Sequence, residues 1–178
     1  MGAVKLENLP HYEYEDYAQW DGDWELIDGI AYSMSPSPVM EHQNISANIS
    51  YELKNSLKNC NKCQSVLALD WVVSEDTVVC PDNMVVCNQD KKSQFITKTP
   101  EIIFEILSPS TMKKDRTTKY NLFQENGVKY YILVEPKIQN IELFILENGS
   151  YSKVKSSEIF TFNLTTCSFK LNFGNIFD

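Results

Sequence analysis

Apolar and polar positions alternate with a period of two over most of the chain and switch to a helical period in three places, which predicts a mixed α/β fold. The spacing of Tyr14, Tyr17 and Trp20 predicts a short helix over 13–20. Asp21-Gly22-Asp23 then turns the chain into an apolar-alternating strand from Trp24 to Ile27. Asp28-Gly29 suits the positive φ of a type I′ turn, so 30–34 is the returning strand of a hairpin. Ser35-Pro36-Ser37-Pro38 breaks the pattern, and over 39–58 Ile45, Ile49, Leu53 and Leu57 recur every fourth residue as the inward stripe of a helix. His42 lies on that stripe near the N-terminus, a place for a packing or capping histidine as much as for a site residue. The Val-, Leu- and Trp-rich runs 63–73 and 77–87 predict strands of one sheet, and Pro81 interrupts the second so that Asp82 heads 83–87.

Beyond a polar linker, the run TPEIIFEILSPST sets Ile102, Phe104 and Ile106 on one strand face and Ile103, Glu105 and Leu107 on the other. Ser108-Pro109-Ser110 ends that strand, and a helix over 112–126 stops at Gly127. Asp115, Lys119, Leu122 and Phe123 share one stripe of it, so Lys119 turns toward the sheet, although the pair Asp115/Lys119 also fits a surface salt bridge. With the strand over 128–135, these elements form a βαβ-like unit. A second hairpin (138–146 and 150–154, with its turn at Asn148-Gly149) and an aromatic stretch over 160–177 complete the chain.

Composition narrows the function. At 178 residues and 43% hydrophobic, the chain suits a single domain over 1–178. The polar, acidic opening offers no signal peptide, and no later run reaches the roughly 20 apolar residues of a membrane span, so a cytoplasmic protein is expected. Five cysteines in no framework spacing predict reduced thiols. Cys60-x-x-Cys63 is half of a zinc-ribbon pattern, which Cys80 and Cys87 would complete only at an atypical spacing. The net charge of −8 opposes non-specific nucleic-acid binding, but residues 91–137 hold nine basic against five acidic residues, a basic segment in an acidic chain.

The chemistry centres on Glu105, because a carboxylate within a buried strand needs a cation, a metal or a dense set of donors beside it. Asp82 on a neighbouring strand and Lys119 on the covering helix supply a second acid and a cation. Two converging carboxylates are what hard Mg²⁺ requires. Lysine beside them keeps its proton, so an electrostatic and orienting role suits Lys119 better than that of a general base.

The run WELIDG (24–29), EHQ (41–43), Pro81-Asp82, PEIIFEILSPST (100–111), Asp115 with Lys119-Tyr120, and GVKYYILVEP (127–136) together resemble the Uma-two restriction-endonuclease family of the PD-(D/E)XK nuclease superfamily. The resemblance spans about residues 14–147. It implies a restriction-endonuclease-like core, a mixed sheet flanked by helices with N-terminal and C-terminal β-hairpins. It also implies cleavage of DNA with one or two Mg²⁺ (or Mn²⁺) ions held by Asp82, Glu105 and the carbonyl of Ile106. Leu107 stands where the superfamily has its lysine, and Lys119 takes that role from the following helix. Glu25, His42 and Asp115 match family positions as supporting residues. DNA is the expected substrate, a homodimer suits two-strand cleavage, and the alternative is a weak or inactive nuclease-fold protein that binds DNA or protein. A binding scaffold built on Cys60 and Cys63 is a further alternative.

Overall fold

The computed structural model describes residues 10–34, 37–155 and 157–178, so residues 1–9, Ser35, Pro36 and Ser156 lie outside the described residues. The first hairpin forms as its turn chemistry dictates. β1 (Trp24–Ile27) pairs antiparallel with β2 (Ile30–Ser33) across Asp28 and Gly29, at φ 51° and 72°. The helix before it, α1 (Tyr14–Tyr17), is four residues long rather than eight, closed at its start by a Glu13/Asp16 capping box. Its aromatic side continues beyond it through edge-on contacts of Tyr17, Trp20 and Trp24, at 5.6 and 5.8 Å between ring centres.

The runs predicted as strands of one sheet divide between two. β3 (Cys63–Leu67) and β6 (Asn83–Cys87) enter a six-stranded sheet, whereas β4 (Trp71–Ser74) and β5 (Thr77–Val79) join the first hairpin in a four-stranded sheet ordered β2-β1-β5-β4. The chain changes sheets at Ala68, with φ 41°, and at Cys80-Pro81, where the extended ladder cannot continue.

The remaining strands of the large sheet are β7 (Ile102–Ile106), β8 (Tyr130–Glu135), β9 (Asn140–Glu147) and β10 (Ser150–Val154), in the order β10-β9-β8-β7-β6-β3. β7 and β8 are parallel, as the βαβ reading requires, and their crossover is a continuous helical stretch in three parts. These are α3 (Met112–Lys114), a π-helical turn (Asp115–Lys119) and α4 (Tyr120–Glu125). Gly127, at φ 79°, ends it.

The two faces of β7 enter different cores, as its alternation predicts. Ile102, Phe104 and Ile106 pack with Ile45, Ile49 and Leu53 of α2 (Met40–Ser56) and with Phe162 and Leu171 of the C-terminal hairpin, β11 (Ile159–Asn163) and β12 (Ser168–Asn172). Ile103 and Leu107 pack with Phe123, Tyr131 and Trp71 on the other side, between the large sheet and the π-turn helix. Among the described residues no helix is long and apolar enough to cross a membrane.

The expectation of five reduced thiols is corrected. Cys60 is bonded to Cys167 and Cys63 to Cys87, leaving Cys80 free. The partners lie 107 and 24 residues apart, so only the register of β3 on β6 and the return of the C-terminal hairpin bring them together.

Candidate active site

β6 and β7 run antiparallel with Asn83 opposite Phe104, and one further step of that register sets Asp82 across from Glu105. Pro81 leaves this end of the ladder incomplete, and the Asp82 side chain fills the gap: the Ile106 N–H donates to Asp82 Oδ2 at 2.7 Å. His42 Nε2 lies 3.2 Å from the same oxygen. One helical turn later on α2, Ser46 and Asn83 exchange two hydrogen bonds, Oγ to Oδ1 at 3.0 Å and Nδ2 to the Ser46 carbonyl at 3.1 Å. This buried clamp fixes α2 against the start of β6 and so aims His42 at Asp82.

Glu105 is 4% exposed, and the cation that its burial demands is Lys119, itself 3% exposed. Lys119 Nζ lies 2.7 Å from Glu105 Oε1, 2.7 Å from Glu25 Oε1 and 4.0 Å from Asp115 Oδ1. The π-helical turn widens the helix where these side chains enter, and the buried Tyr131 hydroxyl donates to the Asp115 carbonyl at 2.9 Å. Glu25 is fully buried on β1, in the other sheet, where it takes Lys114 Nζ on Oε2 at 2.6 Å and the Cys80 N–H on Oε1 at 3.1 Å. It therefore ties the small sheet, the π-turn helix and the Pro81-Asp82 corner to one another.

The protonation states follow from this packing. Burial works against the Lys119 ammonium, but the carboxylates of Glu105, Glu25 and Asp115 outweigh it and hold its pKa well above the usual lysine range. Burial likewise opposes Glu25, and Lys119 with Lys114 holds it below the usual carboxylate range. Glu105 goes the other way: burial pushes its carboxyl up against the pull of Lys119, and Asp115 and Asp82 push it further. Asp115 is raised by burial for the same reason. His42, disfavoured as a cation by burial, is raised by its hydrogen bond and charge interaction with Asp82.

All seven residues singled out from the sequence, Glu25, His42, Asp82, Glu105, Ile106, Asp115 and Lys119, line one cleft of about 560 Å³. Lys114, Ser46 and Asn83 were not among them. Lys114 had no apolar stripe to turn it inward, and the Ser46/Asn83 clamp joins residues 37 apart with no shared motif. Leu107, in the place of the superfamily lysine, is 4% exposed within the apolar core beside Ile103 and Trp71.

Asp82, Glu105 and Ile106 all line the cleft, and carboxylates with a main-chain carbonyl are oxygen donors of the kind a hard dication takes. Among the described residues, no three His, Cys, Asp or Glu side chains stand close enough together to share an ion. The ammonium of Lys119 meets Glu105 and the imidazole of His42 meets Asp82.

Comparison with known proteins places this arrangement. The profile of the Uma2 family, described as "Putative restriction endonuclease", matches residues 12–166. An uncharacterized protein of Synechocystis sp. is 34% identical over 145 residues, covering 76% of this chain and 75% of its own. The crystal structure of a "putative nuclease belonging to DUF820" from Anabaena variabilis superposes with a TM-score of 0.74 over 93% of this chain and 97% of that one. At 15% identity that likeness concerns the fold.

Proposed function

The chain belongs to the Uma2 family, and from that premise we propose that it is a Mg²⁺- or Mn²⁺-dependent endonuclease that hydrolyses phosphodiester bonds in DNA. One observation carries the reading: a buried lysine from the π-turn helix reaches Glu105 at 2.7 Å in the cleft that also holds Asp82, although the strand itself offers only Leu107. Asp82, Glu105 and the Ile106 carbonyl would hold the ion. When bound, it supplies Lewis-acid polarisation of the scissile phosphate and lowers the pKa of a coordinated water.

The protein's own groups do the rest. Lys119, charged across the neutral range, orients the attacking water and offsets charge on the phosphorane-like transition state. Glu25 holds Lys119 in place from the opposite sheet, and Lys114 neutralises the second oxygen of Glu25. Asp82 is aimed by the Ile106 N–H and by His42. Cleavage of both strands calls for two such sites, hence a homodimer that acts on DNA in the cytoplasm.

The test is cleavage of supercoiled and branched DNA with Mg²⁺ or Mn²⁺, with a chelator control and Glu105→Ala beside the parent. Metal-dependent cleavage that Glu105→Ala abolishes is the expected result, and cleavage unchanged in that variant sinks the assignment. A second reading, a nuclease-fold protein that binds DNA without cutting, has in its favour that Lys119 and His42 already engage the carboxylates. Calorimetry decides between the two: no heat from near-millimolar Mg²⁺ or Mn²⁺, together with no cleavage, selects the binding module.

A further inference from the structure

Lys114 and Lys119 stand five residues apart and grip the same carboxylate, Lys114 Nζ at 2.6 Å from Glu25 Oε2 and Lys119 Nζ at 2.7 Å from Oε1. A regular α-helix would turn them apart: at 3.6 residues per turn, side chains five apart diverge by about 140° around the axis. The π-helical turn over Asp115–Lys119, entered directly after Lys114, removes the divergence, because i→i+5 bonding returns the chain to the same side after five residues. This turn lets both ammonium groups reach Glu25.

A widened turn takes carbonyls from their α-helical donors, and those carbonyls need others. Two hydroxyls supply them. The Tyr131 O–H donates to the Asp115 carbonyl at 2.9 Å, and the Thr117 O–H donates to the Lys113 carbonyl, four residues back, at 2.7 Å. Thr117 is exposed. Tyr131 is fully buried on β8, level with Ile103 of β7, and its ring packs against Phe123 and Tyr151, at 5.1 and 6.1 Å between centres. Its hydroxyl is therefore a point fixed by the sheet beneath the helix, at the carbonyl of the residue where the π-turn begins.

We propose that Tyr131 is a positioning residue of the site: its hydroxyl holds the π-turn, and through the turn sets Lys114 and Lys119 on Glu25 and Lys119 on Glu105. The inference rests on the proposed function in that Lys119 is taken to act at the scissile phosphate. Tyr131 is not among the residues that line the cleft and acts only through the helix. Without the hydroxyl the turn relaxes toward regular helix. Leu122 and Phe123 are anchored in the core, so Lys114 and Asp115, on the other side of the turn, rotate away, and Glu25 loses one cation and its hold on the other.

The test is Tyr131→Phe in the full chain, which keeps the packed ring. Single-turnover cleavage should slow by about 10²-fold, the effect of a misplacement of about 1 Å, while DNA affinity measured by fluorescence anisotropy in Ca²⁺ stays within about twofold of the parent. Parental cleavage by folded Tyr131→Phe overturns the proposal. A thermal double-variant cycle separates positioning from mere satisfaction of a buried hydroxyl. If the hydroxyl places the lysines, the Tm losses of Tyr131→Phe and Lys119→Met fall short of additive, since either change already dismantles the Glu25 contacts; additive losses also overturn the proposal. The cycle needs no catalysis, so a parent that does not cut DNA refutes the nuclease reading and leaves the cycle to decide the role of Tyr131. Should Tyr131→Phe fail to fold, Thr117→Val, at an exposed position on the same turn, replaces it in both measurements. Slowed cleavage and losses short of additive are again expected, and parental cleavage or additive losses overturn the proposal.

Discussion

Replacing Lys119 by methionine keeps the length of the side chain and removes the one ammonium that Glu25 and Glu105 share. Each of its two contacts at 2.7 Å corresponds to roughly 6 kcal/mol of Coulomb energy at an effective dielectric of 20. Desolvation of the three buried groups offsets much of that sum, and breaking such a buried network costs about 3–5 kcal/mol. For a chain of 178 residues, at about 2–4 °C per kcal/mol, the Tm should fall by roughly 6–20 °C. The pH dependence identifies the cause. Without Lys119, Glu25 loses one of the two cations that hold its carboxyl down, and Glu105, already raised by burial, is pushed higher, so the native state binds more protons than that of the parent and the variant loses more stability as pH increases through that window. The deficit should therefore be larger at pH 8 than at pH 5, measured by thermal unfolding followed by circular dichroism. A variant within about 2 °C of the parent at pH 8, or with the same deficit at both pH values, refutes the shared-cation account.

Glu105→Gln should lower metal-dependent cleavage by at least ~10²-fold in single-turnover assays while keeping the far-ultraviolet spectrum of the parent. Glu25, held below its usual pKa by Lys119 and Lys114 against burial, contributes stability that is present above about pH 4.5 and lost as pH falls through its lower folded value. Urea unfolding at pH 3–6 should accordingly show a shallower acid limb in Glu25→Gln. The Cys80 thiol is pushed up to about 12, first by burial and then by Asp70 and Glu25, so it should resist a thiol-specific reagent at pH 8 in the native protein and react on unfolding. Rapid labelling of native Cys80 would contradict that environment.

What the sequence disclosed was what local periodicity controls. The two faces of β7, the inward turn of Lys119 and the Asp28-Gly29 hairpin each follow from a repeat or a backbone constraint confined to a few residues. The division of 63–87 between two sheets was hidden because Ala68 takes a positive φ without being glycine and carries no compositional mark. Periodicity alone made Glu25 only a polar position on a short strand, and it was the family resemblance that singled it out. Its role depends on the small sheet closing over the π-turn helix, a tertiary event with no periodic trace. The cysteine pairs were illegible for the same reason, each being set by the meeting of elements distant along the chain.

The placement of lysine on the helix rather than on the strand is physically consistent with the rest of the site. A lysine at 107 would share the face of Glu105 about 7 Å along the strand, a distance an extended lysine stem can span. That face is already committed to the apolar core that joins β7 to Trp71, Phe123 and Tyr131, and Leu107 belongs to it. Delivering the ammonium from the π-turn keeps that core closed and brings the cation to Glu25 and Glu105 together, which a side chain rooted beside Glu105 on one strand is poorly placed to do. Leu107→Lys in the Lys119→Met background should therefore recover part of the lost cleavage but little of the lost stability, because it restores a charge near Glu105 while placing an amine stem in a packed core. Full recovery of both would mean that the two positions are interchangeable. No recovery of cleavage in a folded double variant would mean that Lys119 does more than supply the positive charge that Leu107 lacks.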